Sequence, residues 1–87
     1  MKYLITGSAG FIGFHLAKEL LKNRKNKIYG LDNLDNYYST KLKKKRISIL
    51  KKENNFKFIK LDLSNIKEIK KLYTIDVDIL FHLAAQA

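Results

Sequence analysis

The sequence predicts an α/β protein built on a parallel β-sheet, and three observations predict it. Short apolar runs alternate with helix-period segments along all 87 residues. The first run, Tyr3-Leu4-Ile5, leads straight into three glycines spaced Gly7-x-x-Gly10-x-x-Gly13. A second run, Lys27–Leu31, is followed at once by an acid, Asp32, about twenty residues beyond the glycines.

The elements follow in order. Lys2–Thr6 reads as a first strand, β1, and the glycines as its exit into a helix. Gly7 permits the tight turn, Gly10 lets backbone approach a ligand, and Gly13 lets the helix pack close to the sheet. Amides around Phe11 and Ile12 then lie at a helix N-terminus, where orphan donors and the macrodipole favour an anion. That is where α/β proteins hold a dinucleotide pyrophosphate, and Asp32 stands where an acid accepts ribose hydroxyls. The plainer alternatives are a flexible glycine loop and a turn or cap role for Asp32 within Asp32–Asn36.

The first helix, α1, is expected from Phe11 to about Asn23, with Ile12, Leu16 and Leu20 on its apolar face. Lys27–Leu31 is β2, followed by a polar loop to about Ser39. A lysine-rich second helix, α2, is expected over Lys41–Glu53, with a thin stripe of Leu42, Ile49 and Leu50 and with Ile47 beside it. Asn54-Asn55 marks a turn and Phe56–Lys60 alternates as β3. Ser64 can cap a short third helix carrying Ile66, Ile69, Leu72 and Tyr73. Asp78–Leu83 is β4, apolar enough to be buried on both faces.

This β-α-β-α-β-α-β pattern is the N-terminal half of a Rossmann doubly wound parallel sheet, with strand order 3-2-1-4. The first two helices should share one face and the third should take the other. β4 is then an edge, and the chain is expected to stop in mid-fold. Residues 1–87 are one partial dinucleotide-binding domain, expected to self-associate and to be inactive when made alone.

Composition narrows the classes. The chain has no cysteine, which excludes disulfides and thiolate metal sites and fits a reducing compartment. Its two histidines, His15 and His82, make no metal motif. No apolar run reaches the roughly 18 residues of a membrane span. The +10 charge invites a nucleic-acid reading, yet all of the 18 basic residues except Arg24 and Arg46 are lysines, spread over every helical segment. A solvated lysine surface is the simpler account. His82 lacks a carboxylate or nucleophile at a recognisable spacing and reads as a packed residue. His15 reads as facing solvent or a neighbouring chain segment, Tyr37 and Tyr38 as lining an entrance or packing the loop over β2, and Asp76 and Asp78 as a solvated turn.

Thr6-Gly7-Ser8-Ala9-Gly10-Phe11-Ile12-Gly13 resembles the TGxxGFIG signature of extended short-chain dehydrogenases/reductases, the NAD-dependent epimerase/dehydratase family. The segment Gly30–Tyr38, then Leu42, Lys43 and Arg46, is similar to the loop of UDP-glucuronate 4-epimerases, as are Phe56–Leu63 and Phe81–Ala87. The resemblance implies NAD as cofactor, with Gly7, Gly10, Phe11, Ile12 and Gly13 cradling the pyrophosphate. It places Asp32 on the adenosine ribose with Asn33 and Asn36 nearby, and Asp62 and Leu63 beside the adenine. Leu83, Ala84 and Ala85 would pass under the cofactor, with Gln86 towards the nicotinamide and substrate side. An acid at position 32 favours NAD over NADP, although Lys41 and Lys43 are near in sequence.

The resemblance further implies hydride removal from a sugar carbon and its return to the opposite face, with a tyrosine as base. The family's Ser/Thr and Tyr-x-x-x-Lys lie beyond the matched segment, and Tyr38–Leu42 has leucine where the lysine would stand. Catalytic residues are therefore expected outside this chain. The expected whole is a cytoplasmic, homodimeric epimerase acting on a nucleotide sugar, without membrane or specific nucleic-acid partner. A nucleotide-sugar 4,6-dehydratase or another hexose 4-epimerase is the alternative within the class. A non-catalytic nucleotide- or nucleic-acid-binding module is the alternative outside it.

Overall fold

The computed structural model describes residues 1–32, 40–61, 67 and 70–83. Its strands are β1 (Lys2–Thr6), β2 (Lys27–Asp32), β3 (Phe56–Lys60) and β4 (Ile79–His82). All neighbours run parallel, in the order β3-β2-β1-β4 that the alternation predicts. Helix α1 spans Phe11–Leu21 and helix α2 spans Thr40–Lys51.

Strand alternation divides the apolar residues between the two faces of the sheet. Ile5, Ile28 and Phe56 point to the side where Phe14, Ala17 and Leu21 of α1 meet Ile47 and Leu50 of α2. Leu4, Leu31 and Leu61 form the opposite cluster, against which Leu72 and Val77 pack. Ile5 and Ile28 are fully buried, each stabilising the sheet by about 1.5–3 kcal/mol. The first two helices thus cover one face and the third connection covers the other.

Three expectations need correcting. The buried face of α1 is Gly13, Phe14, Ala17 and Leu21, while Ile12 is 68% exposed and Leu16 and Leu20 only flank the core. The close approach of Gly13 to the turn, described below, sets the helix rotation and carries Ile12 outwards. In α2 the buried residues are Lys43, Ile47 and Leu50, and both Leu42 and Ile49 are exposed. There Lys43, in a buried ion pair with Asp32, faces inwards beside Ile47 and Leu50, and this rotation carries Leu42 and Ile49 outwards. In β4, Phe81 packs on the helix side and stacks on Tyr3 at 6.1 Å, but Leu80 is 56% exposed. Among the described residues β4 pairs with β1 alone, the edge position expected of it.

Among the described residues of the third connection, Lys70–Thr74 form a 3₁₀ helix, at five residues slightly longer than such helices usually run. Ser64, Ile66 and Ile69, which open the expected helix, lie outside the described residues. The turn at Asn54-Asn55 is observed. There Asn55 Nδ2 donates to the carbonyls of Leu21, Asn23 and Asn26 at 3.4, 3.5 and 2.9 Å. It satisfies carbonyls that the end of α1 leaves open and locks that end beside β3.

Candidate functional site

The site begins where β1 ends. Gly7 takes φ 75°, a left-handed conformation that favours glycine. The amides of Gly7 and Ser8 both donate to Leu31 O, at 2.8 and 3.2 Å, which fastens the turn to β2. Gly10 N–H donates to Gly7 O at 3.0 Å and closes the turn. A Cβ on Gly13 would stand 2.2 Å from Gly7 O, so only glycine lets α1 start this close to the strand exit. Gly10 is different. A Cβ there would meet only Gly7 O, at 3.2 Å, a contact relieved by a few tenths of an ångström.

Gly10 is the N-cap of α1, with no side-chain hydrogen bond capping the helix and no acid in its first turn. The first i→i−4 bond is Phe14 N–H to Gly10 O at 2.9 Å, so the amides of Phe11, Ile12 and Gly13 precede it. Phe11 and Ile12 are 65% and 68% exposed, which keeps this helix start open to solvent. Orphan amides and the helix dipole there suit a phosphate.

Asp32 ends β2 beside this turn and is buried. Its Oδ2 accepts Ala9 N–H at 3.0 Å, and its Oδ1 lies 3.8 Å from the buried Lys43 ammonium. One turn further along α2, Arg46 Nη1 donates to Ala9 O at 3.1 Å, with its guanidinium 5.9 Å from the Phe11 ring centre. Sequence reading placed Asp32 at the site but gave Lys43 and Arg46 no structural part. The available signal was their spacing: Lys43, Arg46, Ile47 and Leu50 fall on one helical face.

At the same end of β1, Thr6 bridges to β4. Its Oγ1 lies 2.8 Å from His82 Nδ1 and accepts Leu83 N–H at 3.0 Å. His82 therefore serves in holding two strand ends together, while His15 sits edge-on to Phe11 and Phe14 at 4.6 and 5.2 Å. Asp78 Oδ2 accepts Lys2 N–H at 2.8 Å and so joins the start of β4 to β1. Asn33, Asn36, Asp62, Leu63, Ala84, Ala85 and Gln86 lie outside the described residues, as do Tyr37 and Tyr38. The spacing Tyr-x-x-x-Lys does occur once, at Tyr37 and Lys41, the lysine falling in the first turn of α2. The structure therefore brings together Gly7, Gly10, Phe11, Ile12, Gly13 and Asp32, with Leu83 at the end of the neighbouring strand.

The family model described as GDP-mannose 4,6 dehydratase matches residues 4–87. An uncharacterized protein of Methanocaldococcus jannaschii is 51% identical over 92 residues, covering 100% of this chain and 28% of its own length. A UDP-glucuronate 4-epimerase of Thermodesulfobacterium geofontis is 43% identical over 86 residues, covering 98% and 26%. The crystal structure of UDP-glucuronic acid 4-epimerase from Bacillus cereus in complex with NAD superposes with a TM-score of 0.86 at 40% identity, covering 100% and 28%. The chain spans about a quarter of the length of these relatives. With the match running from Leu4 to the last residue, the chain belongs to the GDP-mannose 4,6 dehydratase family.

Proposed function

We propose that this chain is the NAD-binding N-terminal part of a nucleotide-sugar epimerase that acts on UDP-glucuronate at C4. The observation that carries the reading is the open start of α1, with the uncapped amides of Phe11, Ile12 and Gly13 beside the Asp32 carboxylate. That donor set fits a diphosphate joined to a ribose. The relatives named UDP-glucuronate 4-epimerase support the substrate, and the Bacillus cereus complex supports NAD.

In this reading Gly7, Gly10, Phe11, Ile12 and Gly13 hold the pyrophosphate and Asp32 takes the ribose hydroxyls. Asn33 and Asn36 complete that side, Asp62 and Leu63 border the adenine, and Leu83, Ala84 and Ala85 run beneath, with Gln86 towards the sugar. Bound NAD supplies a reversible hydride acceptor for the sugar carbon. The chain's own part is to bind and orient. Gly7 and Gly13 shape the turn, the α1 amides counter phosphate charge, and Asp32 discriminates a free 2′-hydroxyl from a phosphorylated one. The base and the sugar pocket are assigned outside these 87 residues, in a homodimeric cytoplasmic enzyme. No described helix is long and apolar enough to cross a membrane.

The family model's own description favours a second reading, a 4,6-dehydratase acting on a nucleotide hexose. Incubating the intact protein with UDP-glucuronate and NAD separates the two. The proposal expects the C4 epimer with no loss of water, whereas inertness towards UDP-glucuronate together with dehydration of a nucleotide hexose favours the second.

A further inference from the structure

We propose that Arg46 is a positioning residue for the diphosphate of the bound dinucleotide, holding the glycine turn in its receptive shape before ligand arrives. The inference rests on the NAD reading above. Two consecutive peptide groups of the turn are held at their polar atoms. The Ser8–Ala9 peptide gives its N–H to Asp32 Oδ2 at 3.0 Å. The Ala9–Gly10 peptide gives its N–H to Gly7 O at 3.0 Å, and its carbonyl accepts Arg46 Nη1 at 3.1 Å.

Ala9 is fully buried, so its carbonyl would be costly to leave without a donor. The same guanidinium lies 5.9 Å from the ring centre of Phe11, the first residue of α1. Arg46 thus grips the residue before Gly10 and the residue after it. Between them they set the direction in which the uncapped amides point. Ordering the turn in the free protein removes that cost from the binding step. A planar guanidinium holds this carbonyl in a fixed geometry that a flexible ammonium does not reproduce.

The test uses the intact protein as wild type, Arg46→Met and Arg46→Lys. Two quantities are measured: NAD affinity by calorimetry, and hydrogen exchange over residues 7–12 without ligand. The expected result for Arg46→Met is about tenfold weaker NAD binding, the scale of one hydrogen bond to a charged group. Faster exchange at Ala9 and Gly10 should accompany it, while amides from Phe14 onwards stay protected. Arg46→Lys keeps the charge and most of the stem, so it carries the same comparison should the methionine variant fail to fold. It should recover only part of the affinity and leave exchange raised.

Full affinity in Arg46→Lys with exchange still raised would show that charge alone acts, and would overturn the proposal. Unaltered exchange and affinity in Arg46→Met would overturn it as well. A wild-type protein that does not bind NAD would instead remove the cofactor reading, and this proposal with it.

Discussion

Asp32 accepts the amide hydrogen of Ala9 at 3.0 Å, so the acid at the end of β2 is also a brace for the glycine turn at the end of β1. The two strands are already joined there, because Leu31 O receives both Gly7 N–H and Ser8 N–H. The carboxylate adds a third tie and lies next to the buried Lys43. Replacing it therefore affects both ligand binding and the shape of the turn.

Asp32→Ala and Asp32→Asn separate those effects. Alanine leaves Ala9 N–H without its acceptor and removes any bond to the ribose, so NAD binding in the intact protein should weaken by about 1.5–3 kcal/mol. Asparagine keeps an oxygen for Ala9 and loses only the charge, so its loss should be smaller. Calorimetric titration of the three proteins checks the order. Equal affinities for wild type and Asp32→Ala would remove Asp32 from the site.

The two glycines flanking the start of α1 should answer differently to alanine. At Gly13 the added carbon would meet Gly7 O at 2.2 Å, and backbone has to move. A loss of about 3 kcal/mol is expected, the upper end of overpacking costs. At Gly10 the corresponding distance is 3.2 Å, and stability should change by no more than about 1 kcal/mol. Urea unfolding of Gly10→Ala and Gly13→Ala measures both. Equal losses would mean that the Gly13–Gly7 contact does not set the helix position.

Ser8 is fully buried, and among the described residues its Oγ has no hydrogen-bond partner. Ser8→Ala removes a desolvated hydroxyl at no cost in bonds, so stability should hold or rise by about 1 kcal/mol. The shift in urea midpoint at unchanged slope reads this out. A clear fall would show that the hydroxyl has a partner in solution.

The lysine-rich surface gives the nucleic-acid alternative its own test. Binding to DNA should be non-specific and should fall steeply as salt rises, as counterion release requires. Tight, sequence-selective binding at physiological salt would favour that alternative over the dinucleotide reading.

Strand order and the glycine turn were legible because both follow from local signals: period-two runs, glycine spacing and an acid at a set distance. Helix faces were not. The stripe Ile12, Leu16, Leu20 has a correct helical period, yet α1 is rotated so that Gly13 meets Gly7 and Phe14 enters the core. In α2 the apolar residues are too few to fix rotation. The Lys43–Asp32 pair and the Arg46–Ala9 bond lie on the inward face instead, contacts between segments far apart in sequence. A lysine run reads as solvated surface by composition, and nothing local marks which of its members is buried. The edge position of β4 was legible from the strand order, but its apolar run was expected to be covered on both faces, and Leu80 is exposed.

The central claim is that the opening at Gly10 is kept for a dinucleotide and not for the fold. Gly10 sits at φ −73°, ψ 168°, extended backbone that valine adopts readily, and little protein surrounds its missing Cβ. Titrating NAD into intact wild type and Gly10→Val, with circular dichroism on both, tests this most directly. The account predicts binding by the wild type, none by the variant, and matching helical content. NAD binding of equal strength in Gly10→Val, or loss of its helical signal, would contradict it.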